Sequence, residues 1–180
     1  MLILDACVGA ANIYYNRERL LKDDFISIDI RKGDFTEEYN KYRPIGKSAI
    51  SKENIIIKPI ILANMKYLPF KEKIFDVIIC DPPHLNISKN TFMGVKYGSW
   101  NKNERTATIY RANMEFARVL KDNGMLILKI LPEVKDNYES LFTNFIFYLP
   151  IQTIRDRGCM SSKEAKLAAI WLIGIKKDNV

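Results

Sequence analysis

The sequence predicts an α/β domain built on a mostly parallel β-sheet. Three observations predict it. Short apolar runs recur along the 180 residues, and most are continuously apolar rather than alternating, as in strands covered on both faces. Stretches with helical spacing lie between them, so strand and helix alternate. The chain has no internal repeat, low-complexity tract or Pro/Gly-rich linker, so residues 1–180 read as a single domain.

Taken in order, Leu2, Ile3 and Leu4 form a first strand that stops at Asp5 and a glycine-containing turn. Residues 11–21 form a helix, and residues 25–28 a strand closed by Asp29. The run at 59–63 ends near Asn64, and the run at 75–80 ends at Asp81-Pro82-Pro83. Residues 105–120 give the clearest helix, with Ile109, Ala112, Met114, Phe116, Ala117 and Leu120 near helical spacing and Asn123-Gly124 as a stop signal. Residues 125–131 form a strand ended by Pro132, residues 138–147 a weaker helix, and residues 151–154 and 168–175 two more apolar runs. Parallel sheets bind ligands beyond the carboxyl ends of their strands. Asp5, Asp29, Asn64 and Asp81 each stand at such an end, so four polar groups are expected on one rim.

Composition narrows the chemistry. Charges interrupt every apolar stretch before the ~18 residues of a membrane-spanning helix, and the chain opens with no signal-peptide pattern, so a cytoplasmic protein is expected. The three cysteines, Cys7, Cys80 and Cys159, are too scattered for a disulfide framework or a CxxC zinc site. His84 is the only histidine, which excludes any site needing two, and no metal is expected. The net charge of +7 is uneven: residues 86–121 carry seven Lys/Arg against two acids, and residues 31–58 seven against four. Such stretches attract a polyanion, or form a solvated lysine-rich surface.

The first turn, Asp5-Ala6-Cys7-Val8-Gly9, passes from strand to helix through small residues that let a ligand approach the backbone. The GxGxxG fingerprint is absent, and an ordinary strand-to-helix turn is the plain alternative. Asp29 closes its strand 20 residues after Gly9, where a carboxylate can take both hydroxyls of a ribose or simply be solvated. The Asp81-Pro82-Pro83 corner is the strongest signal. Two consecutive prolines fix φ and remove two N–H groups, so the corner is stiff. It can hold the Asp81 carboxylate and the Pro82 carbonyl as fixed acceptors for the two N–H donors of an exocyclic amine. Acceptors aimed at charge developing on that nitrogen stabilise a transition state by a few kcal/mol.

The ordered set Leu68-Pro69-Phe70, Phe75-Asp76-Val77-Ile78-Ile79 and Asp81-Pro82-Pro83 resembles the class I S-adenosylmethionine-dependent methyltransferases. Asp81 to His84 resembles the (D/N/S)PP(Y/F/W) loop of amino-group methyltransferases, which modify adenine N6, cytosine N4 and some other amides or amines. The set spans residues 2–131 and is similar to small phage and archaeal methyltransferase-like proteins with an Asp-Ala-Cys opening and an Asp-Pro-Pro-His-Leu loop. The resemblance implies a Rossmann-like, mostly parallel seven-stranded sheet with helices on both faces and an antiparallel last strand. It implies S-adenosyl-L-methionine as cofactor, bound by Asp5, Cys7, Gly9, Asp29, Asn64 and Met65. Asp5 would face the methionine amino group, Asp29 the ribose and Asn64 the adenine amino group, with Met65 or Leu85 on the adenine face. Asp81, Pro82, Pro83 and His84 would form the catalytic loop. Two positions depart from the pattern: Ala10 and Ala11 replace glycines, and His84 stands where a large aromatic stacks on an extruded base.

The acceptor is expected to be set by two insertions, 31–54 and 86–104, which largely coincide with the basic stretches. In the second, Phe92, Tyr97 and Trp100 interleave with Lys89, Lys96 and Lys102, and Gly94 and Gly98 are plausible hinges. Phe92, Lys96, Tyr97 and Trp100 are the expected substrate contacts, as stacking platforms or as a lid. Cys7 and Cys80 are read as small buried hydrophobes, and Lys129, inside an apolar run, is left out of the site. The expected reaction is methyl transfer to an exocyclic amine, with adenine N6 or cytosine N4 of DNA favoured over RNA. A protein amide, a small molecule, or a non-catalytic methyltransferase-like nucleic-acid-binding protein is the alternative. Homodimerisation is left open.

Overall fold

The computed structural model describes residues 1–9, 24–42, 55–83, 88–131, 135–148, 151–152 and 170–177. The expected helix at 11–21 therefore lies outside the described residues. Strand β1 (Ile3–Asp5) lies between β2 (Phe25–Asp29) and β6 (Phe75–Cys80), parallel to both. Outside β2 runs the short parallel strand β5 (Ile61–Leu62). On the other side β6 pairs in parallel with β7 (Leu120–Ile130), and β7 pairs antiparallel with β10 (Ile170–Lys176). The far edge is β8 (Phe145–Phe147) followed by β9 (Ile151–Gln152), both antiparallel to β10. The order β5-β2-β1-β6-β7-β10-β8, with β9 continuing the β8 edge, is a seven-position, mostly parallel sheet with an antiparallel last strand.

A long helix, α3 (Lys102–Val119), covers the sheet. Its N-terminus carries a full capping box: the Asn101 side chain accepts from the Glu104 N–H, and the Glu104 carboxylate accepts from the Asn101 N–H. The helix therefore begins three residues before its expected start. Ile109, Ala112 and Phe116 form its fully buried stripe against Leu4, Ile78, Leu126 and Leu128. Met114, expected on that stripe, is 49% exposed beside Tyr110, because it stands on the opposite face. Phe116 stacks on Phe142 with ring centroids 6.0 Å apart, extending the core under β10.

Three elements differ from their expected form. The helix expected at 138–147 is α4 (Lys135–Leu141), and Phe145 to Phe147 are strand β8. The switch comes at Asn144, whose N–H donates to Oδ1 of the buried Asn113 on α3, while the Asn113 amide donates to the Thr143 hydroxyl. Helix α3 ends at Val119, within one residue of its expected end, but β7 begins at once at Leu120 rather than at Met125; Asn123, at φ 61°, falls inside the strand where the β6–β7 register shifts. The insertion 31–54 is not all loop. It holds β3 (Gly33–Asp34), which pairs antiparallel with β4 (Ile56–Ile57), and helix α1 (Thr36–Lys41). The second insertion holds helix α2 (Phe92–Tyr97). Tyr39 of α1, Val95 of α2 and Ile55 make a small separate core, so the two insertions fold against each other.

Candidate functional site

Register decides which strand ends meet. Asp5 of β1 is level with Ser27 of β2 and Ile79 of β6. Asp29 and Asp81 each lie two residues further along, on either side of the turn that leaves β1, so they project about 6–7 Å beyond Asp5. The turn is laid across the sheet by its own N–H groups: Ala6 donates to the Ile79 carbonyl at 2.9 Å and Val8 to the Ile28 carbonyl at 3.1 Å. Gly9 then adopts φ +51°, a left-handed conformation that excludes most side chains, and its N–H donates to Asp29 Oδ2 at 3.0 Å. The other Asp29 oxygen accepts from the Arg31 N–H at 2.8 Å and from Arg31 Nε at 3.3 Å.

These groups surround a cavity of about 510 Å³, within the size range of small-molecule sites. Cys7, Gly9 and Asp29 line it, as do Asn64 and Met65. Asp81 and Pro83 also line it, with Tyr97 and Trp100 from the second insertion. Asn64 is set by an Asx turn, its Oδ1 accepting from the Lys66 N–H at 3.0 Å and its carbonyl from the Tyr67 N–H at 2.9 Å. Met65 is buried against the wall. Gly98 adopts φ +84°, and a Cβ there would stand 3.1 Å from Pro83 Cγ, so glycine lets the chain after α2 pass close to the diproline corner.

Some expected site residues are placed elsewhere. Asp5 is fully buried and is not among the cavity-lining residues; one of its oxygens accepts from the Cys7 N–H at 3.0 Å, so it holds the turn from below. Pro82 is buried behind Asp81 and Pro83. Phe92 points away from the cavity into the small core, its ring edge-on to Tyr39 at 6.0 Å, because the two insertions need an apolar seam. Lys96 lies outside the lining, with its ammonium 5.6 Å from the Tyr97 ring centroid. His84, Leu85, Ala10 and Ala11 lie outside the described residues.

The sequence reading passed over two basic residues. Arg31 lines the cavity and donates from Nη1 to the Val95 carbonyl at 3.0 Å, joining the Asp29 carboxylate to the last turn of α2. Its position two residues after a strand-end acid was the available signal. Lys129 also lines the cavity, and its Nζ lies 2.6 Å from Asp81 Oδ2. A lysine inside an apolar strand signalled a buried partner, but the sequence could not say which one. Along the cavity lining, Arg31, Lys66, Lys89 and Lys129 balance Asp29, Glu38, Asp81 and Glu104. The basic excess of the chain is therefore not concentrated in the cavity.

Two further groups near the site have raised pKa values. The Cys7 thiol is pushed well above its ordinary pKa, mainly by sharing a hydrogen bond with the Cys80 thiol and then by burial, so it stays protonated. The Tyr138 hydroxyl is buried with no hydrogen-bond partner among the described residues, and desolvation, aided by Cys80, holds it far above the ordinary phenol range. No helix among the described residues is long and apolar enough to cross a membrane.

No family model matches the chain, and no curated protein matches it. Solved structures do. TrmN from Thermus thermophilus is similar over 98% of this chain and 44% of its own, with a TM-score of 0.59 and 16% identity. A 1,6-didemethyltoxoflavin-N1-methyltransferase from Burkholderia thailandensis, with its substrate and S-adenosylhomocysteine bound, is similar over 98% of this chain and 71% of its own, at TM-score 0.53 and 11% identity. A geranyl diphosphate C-methyltransferase from Streptomyces coelicolor A3(2) gives 98%, 73%, 0.52 and 8%. The last two are named for different acceptors, and all three share this architecture. The chain has the Rossmann-like fold of S-adenosylmethionine-dependent methyltransferases.

Proposed function

We propose that the chain is an S-adenosylmethionine-dependent methyltransferase acting on an amino nitrogen, with adenine N6 or cytosine N4 of DNA as the favoured acceptor. One observation carries the reading: a single cavity holds the Gly9 turn, the Asp29 carboxylate, the Asn64-Met65 turn and the Asp81-Pro83 corner. The donor and acceptor set fits the cofactor. The glycine turn admits a close backbone approach, Asp29 offers a carboxylate to ribose hydroxyls, and Asn64 and Met65 offer a polar edge and an apolar face to adenine. When bound, the cofactor supplies a sulfonium methyl, transferred as the electron pair of the C–S bond passes to sulfur.

The protein's share is positioning and electrostatics. Asp81 accepts an N–H of the acceptor amine and stabilises the positive charge that grows on nitrogen as the N–C bond forms. The surplus proton leaves nitrogen for water. Pro82 and Pro83 fix the corner, so Asp81 does not have to reorganise during the reaction. The nucleic-acid acceptor is supported by the basic excess of residues 86–121 and by Tyr97 and Trp100, which line the same cavity as Asp81. The charge balance of the lining favours a second reading, a neutral small molecule or protein amide as acceptor.

Calorimetry with S-adenosylhomocysteine tests the cofactor, and transfer of tritiated methyl to DNA, RNA and bulk protein tests the acceptor. Asp81→Ala is expected to lower transfer by about 10²–10³-fold with cofactor affinity near wild type. Full activity in that variant removes Asp81 from its role, and absence of cofactor binding by the wild type removes the methyltransferase reading.

A further inference from the structure

Asp81, Lys129 and Trp171 stand in one row across three strands. Cys80 of β6 pairs with Leu128 of β7, so the next residues, Asp81 and Lys129, are neighbours; Trp171 of β10 pairs directly with Lys129. Residues level with one another on adjacent strands project to the same face of a sheet. The side chains meet accordingly. Lys129 Nζ lies 2.6 Å from Asp81 Oδ2 and 6.0 Å from the centroid of the Trp171 ring. The Lys129 side chain is 25% exposed and that of Asp81 16%, and both residues line the cavity.

We propose that Lys129, backed by the Trp171 ring, is a positioning residue that sets the Asp81 carboxylate for the acceptor amine. The inference rests on the methyltransferase reading given above. A carboxylate on its own turns about its last bond. A charge-assisted hydrogen bond to one oxygen fixes that rotation and leaves the remaining lone pairs for an incoming N–H. A lysine side chain is itself mobile, and the indole face restrains it by a cation–π contact. The role is geometric. A second cation close to a nitrogen that is becoming positive opposes the transfer, so Lys129 does not act by stabilising charge. The pair also cancels its own net charge, so the row receives a neutral NH2 group, whose lone pair is free to attack, in preference to an alkylammonium.

The experiment compares Lys129→Met, Lys129→Arg, Asp81→Asn and the Asp81→Asn/Lys129→Met double variant. One arm measures tritiated methyl transfer to unmethylated phage DNA, with S-adenosylhomocysteine calorimetry as the control for folding and cofactor binding. Lys129→Met is expected to lower kcat by about 10²-fold through misplacement of Asp81, with KM for DNA and cofactor affinity near wild type. Lys129→Arg restores most of the rate. The double variant is no slower than Asp81→Asn alone, since both changes remove one function. A Lys129→Met rate equal to or above wild type overturns the proposal.

The second arm needs no turnover. The sequence has two tryptophans, so in a Trp100→Phe background Trp171 is the sole indole. Lys129→Met and Asp81→Asn should each shift its emission, the first by removing the cation and the second by releasing it. Unchanged emission in both overturns the row whatever the enzyme does. A wild type that binds no cofactor and transfers no methyl, with the emission shifts present, is a failure of the functional reading and not of the row.

Discussion

Arg118, near the end of α3, ties the helix to the segment that carries the Asn64-Met65 turn into β6, and its removal has a calculable cost. Its Nη1 donates to the Phe70 carbonyl at 2.8 Å and its Nη2 to the Leu68 carbonyl at 3.0 Å. Its Nε and Nη2 also donate to the two Glu115 oxygens at 2.9 and 2.8 Å. Glu115 in turn accepts the Leu68 N–H at 2.6 Å. Arg118→Met keeps the aliphatic stem and removes all four bonds. The side chains are 30% and 20% exposed, so water partly replaces what is lost. Each carbonyl bond is then worth about 1 kcal/mol and the ion pair about 0.5, about 2.5 kcal/mol together. For a chain of 180 residues that is a fall in Tm of about 5–10 °C, read by circular dichroism at pH 7.

The gap should depend on pH. The Arg118 hydrogen bond holds the Glu115 carboxyl below its ordinary value of 4.5, against the opposing effect of burial and with help from the Leu68 N–H. A carboxyl lowered in the folded state adds stability that is fully present above its unfolded pKa and lost as pH falls through the folded one. The difference between wild type and Arg118→Met should therefore be complete at pH 7 and shrink on acidification below the ordinary glutamate range. An unchanged Tm at pH 7, or a gap that widens with acid, refutes the reasoning.

Two other perturbations follow from local geometry. A Cβ on Gly94 would stand 2.2 Å from the Ser88 carbonyl oxygen and 2.9 Å from Lys89 Cα. Both contacts are backbone, so Gly94→Ala should force α2 to withdraw by about 1 Å and weaken S-adenosylhomocysteine binding about tenfold, or 1.4 kcal/mol; wild-type affinity by calorimetry would show that α2 does not bound the cofactor's share of the cavity. Tyr138→Phe deletes a buried hydroxyl without a partner among the described residues and keeps the stack on Phe142 at 6.4 Å. Urea unfolding should show a stability equal to wild type or higher by about 1 kcal/mol, and a loss of that size would reveal a hydrogen bond to the hydroxyl.

Much of this fold could be read in one dimension because a parallel strand announces itself twice, by an unbroken apolar run and by the polar residue that ends it. Asp29, Asn64 and Asp81 were legible for that reason, and so was the stiffness of the diproline corner. The start of β7 was not; the strand follows Val119 directly, five residues before its expected start. The last carbonyls of α3, of Arg118 and Val119, accept the N–H groups of Lys73 and Ile74, which precede β6. Those distant donors, more than the Asn123-Gly124 signal, set where the helix gives way to strand. Phe145 and Phe147 were read as helix for the same kind of reason, since the turn that frees them is pinned by Asn113, 31 residues away from Asn144.

Sequence alone determined which residues stand at strand ends, and hence the fold class and several of the groups around the cavity. Tertiary structure decided their employment. It buried Asp5 under the turn, gave the Phe92 ring to an apolar seam, and set Lys129 against Asp81 and Arg31 between Asp29 and α2. The cause is register: apolar pattern and punctuation are properties of a single segment, whereas the partner of a charged side chain is fixed by the alignment of strands far apart in the chain.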